Sequence, residues 1–449
     1  MHATGRSWAG LTAIAIAIAL WTVPARAQVP FQPSVAPASS SSRPLGTGQV
    51  KPGDKISAVN AAQAKELLSP GTYYAATKGM EIDVVAPHRI DWPPPYQDAT
   101  EKYSAQVRLS PDHRSLVGYV AGQPFPLLDP NDPDVATKIM WNSSFRPIAT
   151  DDGDLRFFEC LTQYFKPGGT GSALNYVEIG HLAGYSNLGR TEVEPLPIDP
   201  DFKQSGVWFR SAGYPVIAPD ESRGDGLLRY RYWEADRADD AWTYLAQSRR
   251  VRRLNEVIMG SSPGFSTWDF DHSGGFGAKS QEYNYKFLGA RDMLACVNAV
   301  HSPAQPCPSD GRVTSCPEDW EIRHLYMVEA TPRSERISGA LQSRTLVYVD
   351  SEMWFNPYVD SYDRHGQLWK TQIYWLTYRD RPVPDARVAI YPFKREFVTA
   401  ASSVDVQSGL ATTCYFPGHE TPERECWYIN MGAVRSDFFT REAMVRAGH

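Results

Sequence analysis

The sequence predicts an α+β fold dominated by antiparallel β-structure, and three observations carry that prediction. Segments of alternating polarity recur along the chain. Aromatic residues, which favour pleated surfaces, make up 12% of it. Few helical stretches separate one alternating segment from the next, and strands that follow one another without crossovers pair antiparallel, so a meandering sheet is expected rather than a parallel α/β sheet.

At the N-terminus Arg6 gives a cationic start, an apolar run extends from Leu11 to Val23, and Ala25-Arg26-Ala27 offers a small-x-small cleavage site. The expectation is a secretory signal cut between Ala27 and Gln28. The run is shorter than the roughly 20 apolar residues of a membrane span and ends at Pro24, so residues 1–27 are set apart from the fold. The residue immediately after the cleavage site is Gln28 rather than a cysteine that could take a lipid anchor. These features point to a soluble exported protein in the periplasm of a diderm bacterium. Residues 28–54, rich in Pro, Ser and Gly and including Ser39 to Ser42, read as a flexible leader. Residues 55–449 are expected to form a single large domain, with no internal repeat and no break in composition after residue 60.

A short helix is expected from Asn60 to Leu68, closed by Ser69-Pro70-Gly71. Asn131 or Asp132 as cap, Pro133 in the first turn and Val135, Ile139 and Met140 at helical spacing predict another. Further helices are expected at Leu155 to Phe165, Ala290 to Ala299 and Thr440 to Ala447. The strand signals are stronger. Leu228, Tyr230 and Tyr232 alternate with Arg229, Arg231 and Trp233. The runs Tyr283 to Phe287, Leu325 to Glu329, Thr345 to Val349 and Gln372 to Leu376 are likewise bounded by turn residues.

Charge narrows the partners. The chain has 45 Lys+Arg against 51 Asp+Glu; without Arg6 and Arg26 the balance is 43 to 51, near −8, which argues against nucleic acid. Six cysteines follow the signal. In an oxidising compartment proximity suggests Cys414 with Cys426 and Cys307 with Cys316, leaving Cys160 with Cys296, among the fifteen connectivities six cysteines allow.

Several motifs invite chemistry and are weighed against plainer readings. Gly260-Ser261-Ser262-Pro263-Gly264 matches the G-x-S-x-G elbow of hydrolases, but no apolar helix follows Ser262, so a polar loop is the better reading. Asp269-Phe270-Asp271-His272-Ser273-Gly274 starts like a calcium loop and lacks the closing acid, since Ser280 holds the twelfth place; an Asp-stabilised turn is preferred. His181, His272, His324 and His365 show no ligand spacing, and neither metal nor cofactor is expected. Arg249, Arg250, Arg252 and Arg253 place two guanidinium groups on each face of a strand. They are read as ion-paired with acids such as Glu234 and Asp236, or else as a contact for an anionic headgroup, carboxylate or partner protein.

Five stretches then carry a resemblance. They are Trp92-Pro93-Pro94-Pro95-Tyr96; Gly122-Gln123-Pro124-Phe125-Pro126 with Asn131-Asp132-Pro133 and Trp141-Asn142; Tyr244-Leu245 through Arg253; Tyr348-Val349-Asp350; and Tyr362-Asp363-Arg364-His365-Gly366-Gln367-Leu368-Trp369. Together they resemble domain-of-unknown-function family 1329, exported proteins related to outer-membrane lipoprotein-sorting proteins. The resemblance implies a lipoprotein-carrier-like incomplete β-barrel with helices covering the concave face of the sheet over a hydrophobic cavity. It also implies no catalytic machinery, and envelope transport beside pumps of the resistance-nodulation-division class. This chain is longer than a simple lipoprotein carrier, so an added N-terminal strand-rich part is expected.

The reading that follows is a non-enzymatic periplasmic carrier of a lipid or other hydrophobic small molecule. Its expected lining is Tyr230, Tyr232, Trp242, Tyr244, Tyr283, Tyr285, Trp354 and Trp375, with strand facing open. The alternatives are an envelope adaptor that docks a membrane transporter, and a hydrolase using Ser262.

Overall fold

The protein was analysed as a computed structural model, which describes residues 50–165, 176–254, 266–268, 273–334, 342–385, 387–419 and 427–449. The signal and most of the leader, the Ser262 motif, Asp269 to His272 and Cys426 lie outside these residues. The last five residues expected in the leader already belong to the fold: Val50 is buried, Gly53 N donates to Val84 O at 2.8 Å, and the Asp54 carbonyl accepts from Val84 N at 2.9 Å.

In chain order the strands are β1 (Lys55–Ile56), β2 (Ile82–Val85), β3 (Arg108–Leu109), β4 (Leu116–Val117), β5 (Asp152–Tyr164) and β6 (Tyr176–Ser186). There follow β7 (Val207–Gly213), β8 (Gly226–Tyr232), β9 (Asp240–Leu245), β10 (Arg250–Leu254), β11 (Tyr283–Ala295) and β12 (Glu318–Pro332). The last are β13 (Gln342–Asp350), β14 (Tyr358–Asp363), β15 (Leu368–Arg379), β16 (Arg395–Asp405), β17 (Leu410–Tyr415) and β18 (Trp427–Ile429). Among the described residues β3 and β4 form a small ribbon and the other sixteen form one sheet. Its path runs β1, β2, β12 to β17 in order, then β5 to β10 in order, with β11 also on β12 and β18 also on β5. Among the described strands only the pair β2 and β12 is parallel. Two antiparallel meanders are thus joined along one seam, β17 with β5, and the curved sheet stays unclosed, as its outer strands β1 and β10 do not meet.

The strand signals at Leu228, Tyr283, Leu325, Thr345 and Gln372 all fall in strands. Two expected helices do not form: Leu155 to Phe165 is β5 and its end, and Ala290 to Ala295 completes β11. Each strand carries a bulge, at Phe157 (φ 56°) between Arg156 and Phe158 in β5, and before Gly289 (φ 112°) in β11. An inserted residue breaks the period of two and leaves apolar side chains at intervals of three and four, which imitates a helix.

Five helices are used below: α1 (Pro70–Thr77), α2 (Pro94–Tyr103), α3 (Val135–Ser144), α4 (Asp201–Ser205) and α5 (Arg441–Ala447). The expected helix before Leu68 is a 3-10 segment, Ala61–Leu67, and the Ser69-Pro70-Gly71 stop is instead the start of α1. Ser69 Oγ accepts from Thr72 N at 3.1 Å, and Pro70 occupies the first turn, where its missing N–H costs nothing. The cap of α3 is Asp134 rather than Asn131 or Asp132; Asp132 instead accepts from Asp134 N at 2.8 Å and from the Lys138 ammonium.

Gly71 sets how closely α1 approaches the sheet. A Cβ there would fall 2.2 Å from Thr371 Cβ and 2.3 Å from Asp360 Oδ1, while Gly71 N donates to Asp360 Oδ2 at 3.1 Å. Gly71→Ala is therefore expected to lift α1 from β14 and β15 and to cost about 3 kcal/mol, the upper end for overpacking. Chemical denaturation measures this; a loss below about 0.5 kcal/mol would mean the contact is not rigid.

Candidate functional site

Residues directly opposite each other across a sheet share a face. Tyr374, Ala401, Cys414, Cys160 and Glu178 are successive partners from β15 through β6. Leu155, Leu182, Gly213, Leu227 and Thr243 are successive partners from β5 through β9. All ten line a cavity of about 560 Å³ that spans the seam between the meanders. That volume lies within the roughly 300–1,000 Å³ typical of small-molecule sites.

The walls are mainly apolar. Phe158 lies over Gly180, whose missing Cβ would otherwise be 2.8 Å from the ring edge. Trp268 packs against Tyr374 at 6.0 Å between ring centroids and Phe416 against Trp427 at 6.0 Å, giving the cavity aromatic margins. Leu182 is 42% exposed although it sits mid-strand, because it faces this space rather than packed core.

The opposite face is filled. Trp375, next to Tyr374, is fully buried in the main core with Ala75 of α1. Ser402 Oγ donates to Val313 O at 2.8 Å, and Thr413 Oγ1 donates to the same carbonyl, so the loop closed by Cys307 and Cys316 covers this face of β16 and β17. Helix α5 covers β8 and β9, with Met444, Leu228 and Tyr244 in one cluster.

None of the eight aromatics expected to line a cavity borders this one. Tyr230, Trp242 and Tyr244 pack with the α5 cluster, and the Tyr232 hydroxyl donates to Asp240 Oδ2 at 2.8 Å. Tyr283 and Trp354 are buried, the Tyr285 hydroxyl donates to Ser280 O at 3.1 Å, and Trp375 is core. The aromatic residues that do border the cavity are Phe158, Trp268, Tyr374, Phe416 and Trp427. Sequence reasoning missed Leu155, Leu182 and Leu227, each one position away from a more conspicuous neighbour.

Two cysteine pairings are also corrected. Cys160 is bonded to Cys414, because β5 and β17 are neighbours and these residues are directly opposite in register; Cys296 is a free thiol at the buried end of β11. The expected Cys307–Cys316 bond is present. Two disulfides fit an exported protein, and among the described residues no helix is long and apolar enough to cross a membrane.

The arginine segment forms β10, the last strand of the sheet path, and Arg250, Arg252 and Arg253 are exposed. Arg253 pairs with Asp240, whereas Asp236 pairs with Arg114 at 2.8 Å; the expected partners Glu234 and Asp236 are replaced because register puts β9 alongside. Arg249 has φ 52° in the turn between these strands.

The polar groups near the cavity are few. Glu178 stands in its wall, and burial pushes its carboxyl above the ordinary value. His181 pairs with Asp154, which also holds Arg156 at 2.6 Å; burial would raise the Asp154 carboxyl, but these two partners hold it below its usual value. Asp225 Oδ1 accepts from Ala246 N at 2.8 Å.

Several conspicuous sequence markers prove structural. Asn142 bonds both backbone groups of Phe125, at 2.9 and 2.8 Å, and a Cβ on Gly122 would meet Thr100 N at 2.4 Å. Asp350 is buried and receives Arg323 Nε at 2.8 Å, with Glu352 N and Met353 N donating to its other oxygen. These contacts fix α2, α3 and the β13–β14 connection.

A family model described as protein of unknown function (DUF1329) matches residues 55–445. No curated protein matches the chain. Among solved structures, the chain is similar to an outer membrane lipoprotein-sorting protein domain from Vibrio parahaemolyticus at 14% identity and TM-score 0.46, over 69% of this chain and 98% of that one. It is similar to a DUF1329 family protein from Desulfovibrio piger at 15% identity and TM-score 0.42, over 69% and 97%. A LolA superfamily protein from Nitrosomonas europaea gives 12% identity and TM-score 0.36, over 68% and 98%.

Proposed function

Since the chain belongs to the DUF1329 family, and an apolar cavity opens in the face of its sheet, we propose that it is a periplasmic carrier that binds a hydrophobic small molecule or lipid without catalysis. The observation that carries this reading is the cavity itself: about 560 Å³ walled in large part by apolar side chains, Leu155, Phe158, Leu182 and Leu227 among them. Empty, such a surface wastes hydrophobic free energy; filled by an acyl chain, it gains about 0.8 kcal/mol per methylene before ordering costs. Export through a signal cleaved after Ala27 completes the reading.

The protein purified gently from a periplasmic extract is expected to release a stoichiometric hydrophobe into organic solvent, identified by mass spectrometry beside an unrelated periplasmic control. Leu182→Trp with Leu227→Trp is expected to fill the cavity, keep the parent melting temperature and weaken uptake of a fluorescent hydrophobe at least about tenfold. A folded double variant that binds like the parent would remove the cavity from the mechanism.

The exposed arginines of edge strand β10 favour a second reading, an adaptor that docks an acidic surface or a transporter of the resistance-nodulation-division class. A clean extract combined with no uptake of added hydrophobe supports it in place of the carrier.

A further inference from the structure

The cavity is asymmetric in charge. Its described lining contains two carboxylates, Glu178 and Asp225, and neither lysine nor arginine. Asp225 is anchored by Ala246 N, and His181 is committed to Asp154. Glu178 is different. It lies directly across from Cys160 on the cavity face, and no hydrogen bond or ion pair to its carboxylate is seen among the described residues. The Trp268 indole N–H is the other wall group with no partner among the described residues.

We infer that the cavity selects amphiphiles whose polar end donates hydrogen bonds and carries no negative charge, with Glu178 as the acceptor. The inference rests on the carrier reading and adds the ligand class to it. A carboxylate or phosphate brought beside Glu178 would meet like charge in apolar surroundings with no cation to offset it. An ammonium or hydroxyl group brought to the same place gives the carboxylate a partner and recovers part of its lost hydration. The Trp268 N–H can be accepted by a hydroxyl or by a carboxylate equally, so it does not discriminate. A fatty acid or an acidic phospholipid would then be held, if at all, with its head away from Glu178.

The test uses the mature protein and three probes of one chain length: dodecylamine, dodecanol and dodecanoate. Binding is read by the fluorescence of Trp268 and Trp427, which line the cavity. The amine and the alcohol are each expected to bind at least about tenfold more tightly than dodecanoate. In Glu178→Gln, checked for an unchanged melting temperature, the amine is expected to lose that advantage and dodecanoate to gain. If dodecanoate binds the parent as tightly as the other two, or if Glu178→Gln leaves the order unchanged, the selectivity is overturned and the carrier reading stands. If none of the three binds, the carrier reading fails and the selectivity falls with it.

Discussion

Serine at both Cys160 and Cys414 is expected to lower stability by about 5 kcal/mol, against about 2.5 kcal/mol for serine at both Cys307 and Cys316. The difference follows from what each bond removes from the unfolded chain. The first joins residues 254 apart and the second residues 9 apart, and the closure entropy grows with the logarithm of the loop. The long-range bond also crosses the one seam that joins the two meanders, whereas the short one closes a local loop that packs on β16 and β17. Urea unfolding of both double variants, with the slope held equal, gives the comparison. Equal losses would mean that the seam is already formed in the denatured ensemble, and the argument from loop size would fail.

Glu396→Gln is expected to stabilise the protein by about 3 kcal/mol at pH 8 and to change it little at pH 5. Glu396 is buried in β16, its side-chain oxygens find no partner among the described residues, and burial raises its carboxyl to about 7. The sign follows from proton counts. The folded state holds this proton up to about pH 7, while the unfolded state releases it near the ordinary value of 4.5, so between these limits the folded state binds more protons. Stability is therefore highest below about pH 4.5 as far as this group is concerned, and falls as pH rises through 7. Asp310 and Asp360, each raised to about 6 chiefly by burial, tilt the curve the same way and are common to parent and variant. The difference between the two pH profiles thus isolates Glu396. Parallel profiles would show that its carboxyl finds water or a partner in solution.

How much of this was legible in the sequence depended on whether a strand kept its period. At Thr345 to Val349 no register shift falls within the run, and at Gln372 to Leu376 the extra residue of the shift, Thr399, sits on β16, so alternation marks both strands plainly. At Phe157 and Gly289 bulges shift the phase, and two of the longest strands look helical. The antiparallel class, and the likeness carried by motifs such as Gly122 to Pro126 and Tyr348 to Asp350, could be read because turns and packing contacts impose residue types. The cavity wall could not. Leu227 and Leu228 are equally apolar, and which of them meets open space is decided by where α5 docks, more than 200 residues later. The same holds for the cysteines: Cys414 is 12 positions from Cys426 in sequence but faces Cys160 across the seam.

That seam also sets the order of assembly. β5 has β6 as its neighbour soon after it emerges, but its other edge is reserved for β17 and β18, which follow some 250 residues later. Until residues 410 to 415 are in place, the long hydrogen-bonding edge of β5 stands open beside apolar side chains of the cavity wall. A chain whose last strands have not yet docked is thus the most adhesive form of this protein. Contacts of such sequence separation close slowly, and unpaired edges of this kind are where chains associate wrongly.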